Sequence, residues 1–303
     1  MYHLFVLSGE NIPLAKGEII SLLKPSKYGL EGNLLLAEVN HSKLFERLAL
    51  TKKSYRLLFT ATRKDLLKKA SSYPWQRIYK KSFSVRGPEE KAIASHIWRK
   101  VKNPKVDLKS ASTKIEIIGN KNLYCCLLIH SQESFSSRKP HLRPGFAPVS
   151  LSPKLARALV NLTGSKTSIM DPFCGTGGIL IEAALMGLRA EGSDTSREML
   201  EKAKRNLTHY RINCKLSLKD ALKIKKHPYI VADLPYGRNT RLDSSLYRSF
   251  LLTLDKALLK KAVLTFPKPV KRSLLKGTTL KIESSFTHYI HSSLTKHIVV
   301  LTK

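Results

Sequence analysis

The chain has 303 residues, 42% of them hydrophobic, which suits about two or three folded domains with buried cores. Its 54 lysine and arginine residues outnumber the 22 acidic residues and give a net charge of +32. Because this excess runs through all regions of the chain, it favours a nucleic-acid partner over a basic surface that is merely solvated. No apolar stretch is long enough to span a membrane and the N-terminus lacks the pattern of a secretory signal, so we predict a cytoplasmic protein with no membrane partner.

The cysteines and histidines do not form a metal-binding pattern. The four cysteines show no Cys-x-x-Cys spacing, which predicts reduced core residues rather than zinc ligands or disulfides. Histidines 288, 291 and 297, near the end of the chain, have no cysteines or carboxylates beside them and are expected to be packing residues. We therefore predict no metal site.

Residues 1–62 alternate strand-like and helix-like patterns, which indicates a small α/β or α+β domain. We predict strands at residues 3–8, 33–39 and 54–61 and helices at residues 14–23 and 42–50. These patterns alone carry no functional assignment.

A second domain is predicted at residues 63–130. A strand at residues 82–86 precedes a helix at residues 89–101, and strands at residues 114–118 and 123–129 flank the turn sequence Gly119-Asn120-Lys121-Asn122. The polar face of the helix is basic, which by itself is typical of a solvated surface.

Residues 131–150 are rich in Ser, Pro, Arg and His and poor in aliphatic residues, which predicts a linker between domains. Within it, residues 138–144 form the basic and extended sequence Arg-Lys-Pro-His-Leu-Arg-Pro. This stretch suits either contact with a phosphate backbone or a simple tether, and the sequence favours neither.

From residue 151 to residue 303 the pattern is regular α/β. We predict helices at residues 152–162, 179–186, 197–210 and 245–259, and strands at residues 168–170, 189–193, 215–218, 229–232, 262–266, 280–289 and 296–301. Strands that alternate with helices indicate a mostly parallel seven-stranded sheet with ligands at the carboxyl ends of its strands.

A glycine-rich turn, Asp-Pro-Phe-Cys-Gly-Thr-Gly-Gly at residues 171–178, follows the first strand of this region. It lacks the Gly-Lys-Ser/Thr of a Walker loop. A dinucleotide pyrophosphate would lie beside the carboxylate of Asp171, whereas the cationic groups of S-adenosylmethionine would be attracted to it. Asp194 ends the second strand, where an acid can accept hydrogen bonds from ribose hydroxyls, and Asp220 follows the third strand, where it can contact an adenine amino group.

A second loop follows the buried strand Ile230-Val231-Ala232. Its residues are Asp233, Leu234, Pro235 and Tyr236, and the proline makes it rigid. The Asp233 carboxylate and the Leu234 carbonyl can each accept a hydrogen bond from a planar amino group, while Tyr236 stacks on the attached ring.

The two loops and the intervening acids, each after a successive strand, resemble the Rossmann-fold methyltransferases that modify exocyclic amines. Their Asp/Asn-Pro-Pro-Tyr motif has Leu234 in place of its first proline here, which retains the accepting carbonyl at some loss of preorganisation. The resemblance implies S-adenosylmethionine as cofactor and the catalytic residues Asp233, Leu234, Pro235 and Tyr236. It implies these cofactor-binding residues: Asp171, Pro172, Phe173, Cys174, Gly175, Thr176, Gly177, Gly178, Asp194, Thr195, Asp220, Ala221 and Asp233.

Residues 82–129 resemble a THUMP domain over about fifty residues, through the order of Phe-Ser-Val-Arg, the basic helix, Lys-Val-Asp-Leu and the hairpin. THUMP domains, with the ferredoxin-like piece that often precedes them, bind structured RNA. The implied RNA-binding residues here and in the linker are Arg86, Arg99, Lys100, Lys102, Lys105, Arg138, Lys139, His141 and Arg143.

The whole chain thus resembles the tRNA guanosine-10 N2-methyltransferases of archaeal type: a ferredoxin-like piece at residues 1–62, a THUMP domain at residues 63–130, a linker and a Rossmann-like methyltransferase domain at residues 151–303. The resemblance implies methylation of guanine N2 in tRNA, once or twice, and a small activator subunit is compatible with it but not required. Methylation of another tRNA guanosine such as position 6, methylation of DNA, and noncatalytic RNA binding remain open alternatives.

Overall fold

The computed structural model describes residues 1–40, 42–148, 150–235, 244–291 and 294–303. They form two compact units. Unit 1 comprises Met1–Ser8, Pro25–Glu46 and Thr51–Gln132, and unit 2 comprises Gly9–Lys24, Arg47–Leu50 and Glu133–Lys303.

The strands are β1 (Tyr2–Leu7), β2 (Tyr28–Glu31), β3 (Leu34–Glu38), β4 (Thr51–Ala61), β5 (Phe83–Arg86), β6 (Thr113–Ile118), β7 (Leu123–Ser131), β8 (Ser168–Asp171), β9 (Arg189–Asp194), β10 (Lys215–Leu218), β11 (His227–Asp233), β12 (Leu258–Phe266), β13 (Lys281–His291) and β14 (Leu294–Thr302). The helices are α1 (Ile12–Leu23), α2 (Leu66–Ser72), α3 (Glu90–Lys100), α4 (Pro153–Leu162), α5 (Gly178–Leu185), α6 (Arg197–His209) and α7 (Ser244–Ala257). None of the helices in these described segments combines the length and apolarity needed to cross a membrane.

Unit 1 is built on one mixed sheet in the order β2-β3-β1-β4-β7-β6-β5, in which only the described pair β5 and β6 is parallel. Trp75, Phe83, Ile93 and Ile97 are among the buried residues of its core. Strands from both sides of residue 62 share this sheet, so the sheet itself marks no boundary at that residue. The division into a ferredoxin-like and a THUMP domain stays a prediction.

Unit 2 contains a second mixed sheet, in the order β10-β9-β8-β11-β12-β14-β13. The strands from β10 to β12 are parallel, and β14 and β13 complete the sheet in antiparallel pairing. The chain runs outward from β8 through β9 to β10 and then returns to the other side of β8 with β11. The carboxyl ends of β8 and β11 therefore flank the point where the strand order reverses, which is where open α/β sheets bind ligands.

Helix α1 belongs to unit 2, although the sequence placed it in a domain of residues 1–62. Its first turn is capped by the Asn11 side chain, which accepts a hydrogen bond from Leu14 N at 3.1 Å. The helix packs against α4 and β13. A Cβ atom at Gly17 would lie 2.4 Å from the Phe286 ring, so a larger residue there would displace that ring.

A buried carboxylate joins α1 to the rest of unit 2. Glu18 is fully buried and accepts hydrogen bonds from Ala49 N at 2.7 Å, Leu50 N at 2.8 Å and Asn161 Nδ2 at 2.8 Å. Burial raises the pKa of Glu18, and these three donors oppose that rise.

We expect Glu18→Gln to lower the free energy of unfolding by about 1–3 kcal/mol, because a glutamine NH2 would face one of three donors and leave it unpaired. Denaturant unfolding measures the change. The control is Glu10→Gln. Glu10 is 61% exposed and pairs with Lys154 on the surface, so this substitution should change the free energy of unfolding by less than about 1 kcal/mol. Equal effects of the two substitutions would contradict the assignment.

Residues 133–150, most of the segment that the sequence predicted as a linker, belong to unit 2. Gly145 N donates to Asn206 Oδ1 at 2.7 Å, and Asn206 Nδ2 donates back to Gly145 O at 3.0 Å. Arg143 is only 4% exposed. Proline and arginine made this segment look solvated, but its backbone is bonded to α6 and its arginines point inward.

Candidate active site

Four aspartates meet at the carboxyl edge of the second sheet. Asp171 ends β8, Asp194 ends β9, Asp220 follows β10 and Asp233 ends β11. The strand order places them across the sheet as Asp220, Asp194, Asp171 and Asp233. All four line one cavity of about 520 Å³.

The glycine-rich turn forms one wall of this cavity. Gly175 and Gly177 have φ angles of +49° and +82°, in the left-handed region that favours glycine. Asp194 holds the turn, because its Oδ2 accepts from Gly175 N at 2.9 Å while its Oδ1 accepts from Ser196 N at 2.9 Å. The same aspartate therefore shapes the turn and faces the cavity.

The cavity is strongly acidic. Asp171 is 1% exposed, and burial raises the pKa of its carboxyl well above the usual range. The negative charges of Asp194 and Asp233 raise that pKa further. A cationic ligand would relieve this repulsion, whereas a phosphate would increase it.

The Asp233 carboxylate is held by two side chains that the sequence did not point to. Lys296 Nζ, on β14, donates to Oδ1 at 2.6 Å and to Oδ2 at 2.9 Å. The Thr265 hydroxyl, on β12, also donates to Oδ1. Burial raises the pKa of Asp233, and the positive charge of Lys296 opposes the rise.

Leu234 stands where the Asp/Asn-Pro-Pro-Tyr motif has its first proline, and its contacts restore part of the rigidity that a proline would give. Its backbone N–H donates to Thr265 O at 3.3 Å, a hydrogen bond that proline cannot make, and its side chain is fully buried. On the next residue, Pro235 O accepts from the Tyr247 hydroxyl at 2.9 Å. The Tyr247 ring in turn packs edge-on against Phe266, with ring centroids 5.5 Å apart. Tyr236 lies outside the described residues.

The structure brings nearly all of the predicted cofactor residues to this cavity. Apart from Gly177, every one of them is among its lining residues, together with Leu234 and Pro235. Sequence reasoning missed part of the lining: Ala147, Ser150, Leu151, Ile179, Met199 and Leu246. Whether these residues contact the cofactor stays a prediction.

The predicted RNA-binding residues separate into two groups. Arg86, Arg99, Lys100, Lys102, Lys105, Lys139 and His141 are exposed. Arg138 and Arg143 are not: Arg138 pairs with fully buried Glu182 at 2.8 Å, and Arg143 Nε donates to Arg138 O at 3.0 Å. Their burial argues against a phosphate contact for these two arginines.

Within the part of the chain that the structure describes, no group of three or more His, Cys, Asp or Glu side chains is arranged to hold a metal ion. The three C-terminal histidines lie on β13 and β14.

Comparisons with known proteins agree with this architecture. Residues 140–288 match the family described as "UPF0020: RMKL-like, methyltransferase domain". The crystal structure of TrmN from Thermus thermophilus superposes with a TM-score of 0.51 over 100% of both chains, at 18% identity. That likeness shows a methyltransferase-like α/β fold.

Closer relatives are found by sequence. The chain is 30% identical over 295 residues to the tRNA (guanine(10)-N2)-dimethyltransferase of Pyrococcus abyssi, covering 88% of each chain. It is 33% identical over 284 residues to the protein of the same name from Methanothermobacter thermautotrophicus, covering 86% of this chain and 84% of that one. The protein therefore belongs to the tRNA (guanine(10)-N2)-dimethyltransferase family.

Proposed function

We propose that this protein transfers methyl groups from S-adenosylmethionine to the exocyclic N2 of a guanosine in cytoplasmic tRNA, at position 10, giving N2-methylguanosine and N2,N2-dimethylguanosine. The observation that carries the proposal is the Asp233 carboxylate, fixed by Lys296 and Thr265 in the wall of an acidic cavity. Family membership supports the choice of tRNA as substrate.

The residues of the cavity fit S-adenosylmethionine. Buried Asp171 lies where the cationic end of the cofactor would be attracted, and Asp194 and Asp220 offer acceptors for ribose hydroxyls and the adenine amine. Phe173, Ile179 and Leu246 add apolar surface. When bound, the cofactor supplies a methyl group attached to a positively charged sulfur, ready for transfer to a nucleophile.

The loop after β11 acts on the substrate amine. Guanine N2 is a poor nucleophile because its lone pair is shared with the purine ring. Accepting its two hydrogens at Asp233 Oδ2 and at the Leu234 carbonyl favours a more tetrahedral nitrogen and aims its lone pair. Once N2 has gained a methyl group it releases one proton, to Asp233 or to solvent. Tyr236 is assigned to stacking on the flipped guanine.

The direct test uses the purified protein, an unmodified tRNA transcript and S-adenosylmethionine, followed by nuclease digestion and mass spectrometry. We expect both methylated guanosines at position 10 and none in a transcript with adenosine there. Methylation only at position 6, only of DNA, or of neither nucleic acid would overturn the proposal.

We further propose that unit 1, with its ferredoxin-like and THUMP-like segments, grips tRNA through exposed cations, and that no activator subunit is required for the chemistry. The exposed cations of unit 1 that we assign to this role are Arg86, Arg99, Lys100, Lys102 and Lys105; on unit 2, Lys139 and His141 are also exposed and stay predicted RNA-binding residues. A protein that neutralises phosphates in this way binds more weakly as salt concentration rises.

We expect Arg99→Ala/Lys100→Ala to weaken tRNA binding and to reduce the slope of log affinity against log salt by about 2, because each lost phosphate contact removes about one unit. Filter binding across a salt series measures this. The charge-matched control is Lys225→Ala/Lys226→Ala, two exposed lysines before the amino end of β11, away from the acidic edge. If the control pair reduced the slope equally, the binding would be a general charge effect.

A further inference from the structure

We infer that Lys296 is a positioning residue for the methyl transfer: its ammonium and the Thr265 hydroxyl together fix the rotation of the Asp233 carboxylate and leave one lone pair of Oδ2 for the substrate amine. This inference rests on the proposed function, since it names further residues of the same site. It predicts that a lysine 63 residues away in sequence sets the geometry of the catalytic loop.

The register of the sheet explains how these side chains meet. Asp233 on β11 lies beside Thr265 on β12, and Thr265 lies beside Ile298 on β14. Lys296 is two residues before Ile298 on the same strand, so its side chain points to the same face of the sheet and reaches back across β12. Lys296 is 3% exposed and Asp233 is 15% exposed.

Counting acceptor sites shows what the arrangement does. A carboxylate offers about four lone-pair sites, two on each oxygen. Among the described residues, Oδ1 accepts from both Lys296 Nζ and Thr265 Oγ1, which fills it, whereas Oδ2 accepts from Lys296 Nζ alone. One site on Oδ2 is therefore left for a substrate N–H, and the ammonium that spans both oxygens prevents the carboxylate from rotating.

Burial makes the pair mutually dependent. An ammonium that is 3% exposed needs a counter-charge, because an isolated buried cation is strongly disfavoured. An uncharged asparagine at position 233 would remove the carboxylate that lies 2.6 Å from Lys296 Nζ, so the buried ammonium favours aspartate there.

The first test measures stability and does not depend on activity. We expect Asp233→Asn to lower the thermal unfolding midpoint by about 6–20 °C, and Asp233→Asn/Lys296→Gln to recover most of that loss. The matched control is Glu283→Gln, which removes the partner of Lys261 from a more exposed pair between β12 and β13 and should shift the midpoint far less. Equal midpoints for the wild type and Asp233→Asn would overturn the inference.

The second test measures the pH profile of single-turnover methylation. Removing the cation with Lys296→Met should move the acidic limb upward by about 1–3 pH units, since an opposite charge in contact stabilises the ionised carboxylate by that amount. Lys296→Arg, which retains the charge, should stay near the wild type. Thr265→Val should slow the reaction with a smaller displacement of the limb.

Other titratable groups interact electrostatically with Asp233 or Lys296. They are Asp171 on β8, Tyr247 on α7 and His288 on β13. Because burial lowers the pKa of His288 and Lys296 contributes to that lowering, the profiles are repeated in a His288→Gln background. The displacement caused by Lys296→Met should persist there.

The outcomes separate this inference from the proposed function. If the wild type methylates tRNA but the acidic limbs of wild type and Lys296→Met coincide, Lys296 is not a positioning residue. If the wild type methylates nothing, the proposed function fails, while the stability comparison of Asp233→Asn with its double variant still reports on the pair. The inference is supported if the acidic limb of Lys296→Met is displaced upward and if Asp233→Asn/Lys296→Gln recovers the thermal stability lost in Asp233→Asn.

Discussion

Replacing Asp233 by alanine is expected to reduce methyl transfer by at least about 10²–10³-fold while leaving tRNA affinity nearly unchanged, because the variant loses the acceptor that orients the amine but none of the exposed cations. Single-turnover assays with mass spectrometry of the digested tRNA measure the first quantity, and filter binding measures the second. Full activity in the variant would refute the assignment of Asp233.

The same substitution also removes the carboxylate that pairs with buried Lys296, so its effect on folding has to be separated from its effect on chemistry. Breaking a buried ion pair from one side costs about 3–5 kcal/mol. We therefore expect Asp233→Ala/Lys296→Met to be more stable than Asp233→Ala and equally inactive. If activity returned together with stability, Asp233 would be structural rather than catalytic.

Replacing Asp194 by alanine is expected to weaken S-adenosylmethionine binding by roughly 30- to 1000-fold. The substitution leaves Gly175 N and Ser196 N without their acceptor, each worth about 1–3 kcal/mol, and removes the proposed ribose contact. Calorimetric titration with the cofactor measures the loss. The charge-matched control is Glu191→Ala, an exposed carboxylate on the same strand, which should change the dissociation constant less than about threefold.

A dissociation constant for Asp194→Ala within about threefold of the wild type would show that the turn keeps its shape without this carboxylate. In that case the glycine conformations at Gly175 and Gly177 would be set by the turn's own hydrogen bonds, such as Gly177 N to Cys174 O at 2.8 Å. Unchanged tRNA binding is expected in either outcome.

Local patterns in the sequence predicted much of unit 2. The helices and strands from residue 153 onward lie close to the predicted ranges, because alternating strands and amphipathic helices are encoded over a few residues. The four aspartates were identified for the same reason: each follows a strand, and parallel strands share one carboxyl edge. A boundary error occurred at Leu258, where β12 begins directly after α7 and leaves no turn signal.

What the sequence did not reveal depends on contacts between distant residues. Lys296 looked like an ordinary lysine in a closing strand, and only the antiparallel register across β12 brings it to Asp233. Arg143 looked exposed because prolines surround it, yet its backbone neighbour Gly145 is bonded to Asn206. Strand β2 was missed because all four of its residues are exposed and show no alternation, and helix α2 was missed because only Leu66 and Ala70 of its seven residues are buried.

The membership of α1 in unit 2 has a practical consequence for anyone who wishes to express the catalytic half alone. A fragment cut at residue 133, or trimmed to the matched region 140–288, would lack Glu18 and leave Asn161 and the face of α4 that α1 covers open to water. Residues 9–24 supplied as a separate peptide would return Glu18 without the Ala49 and Leu50 amides that donate to it, so residues 47–50 would have to be supplied as well. The catalytic unit is thus discontinuous in sequence, because α1 and residues 47–50 alternate along the chain with segments of unit 1.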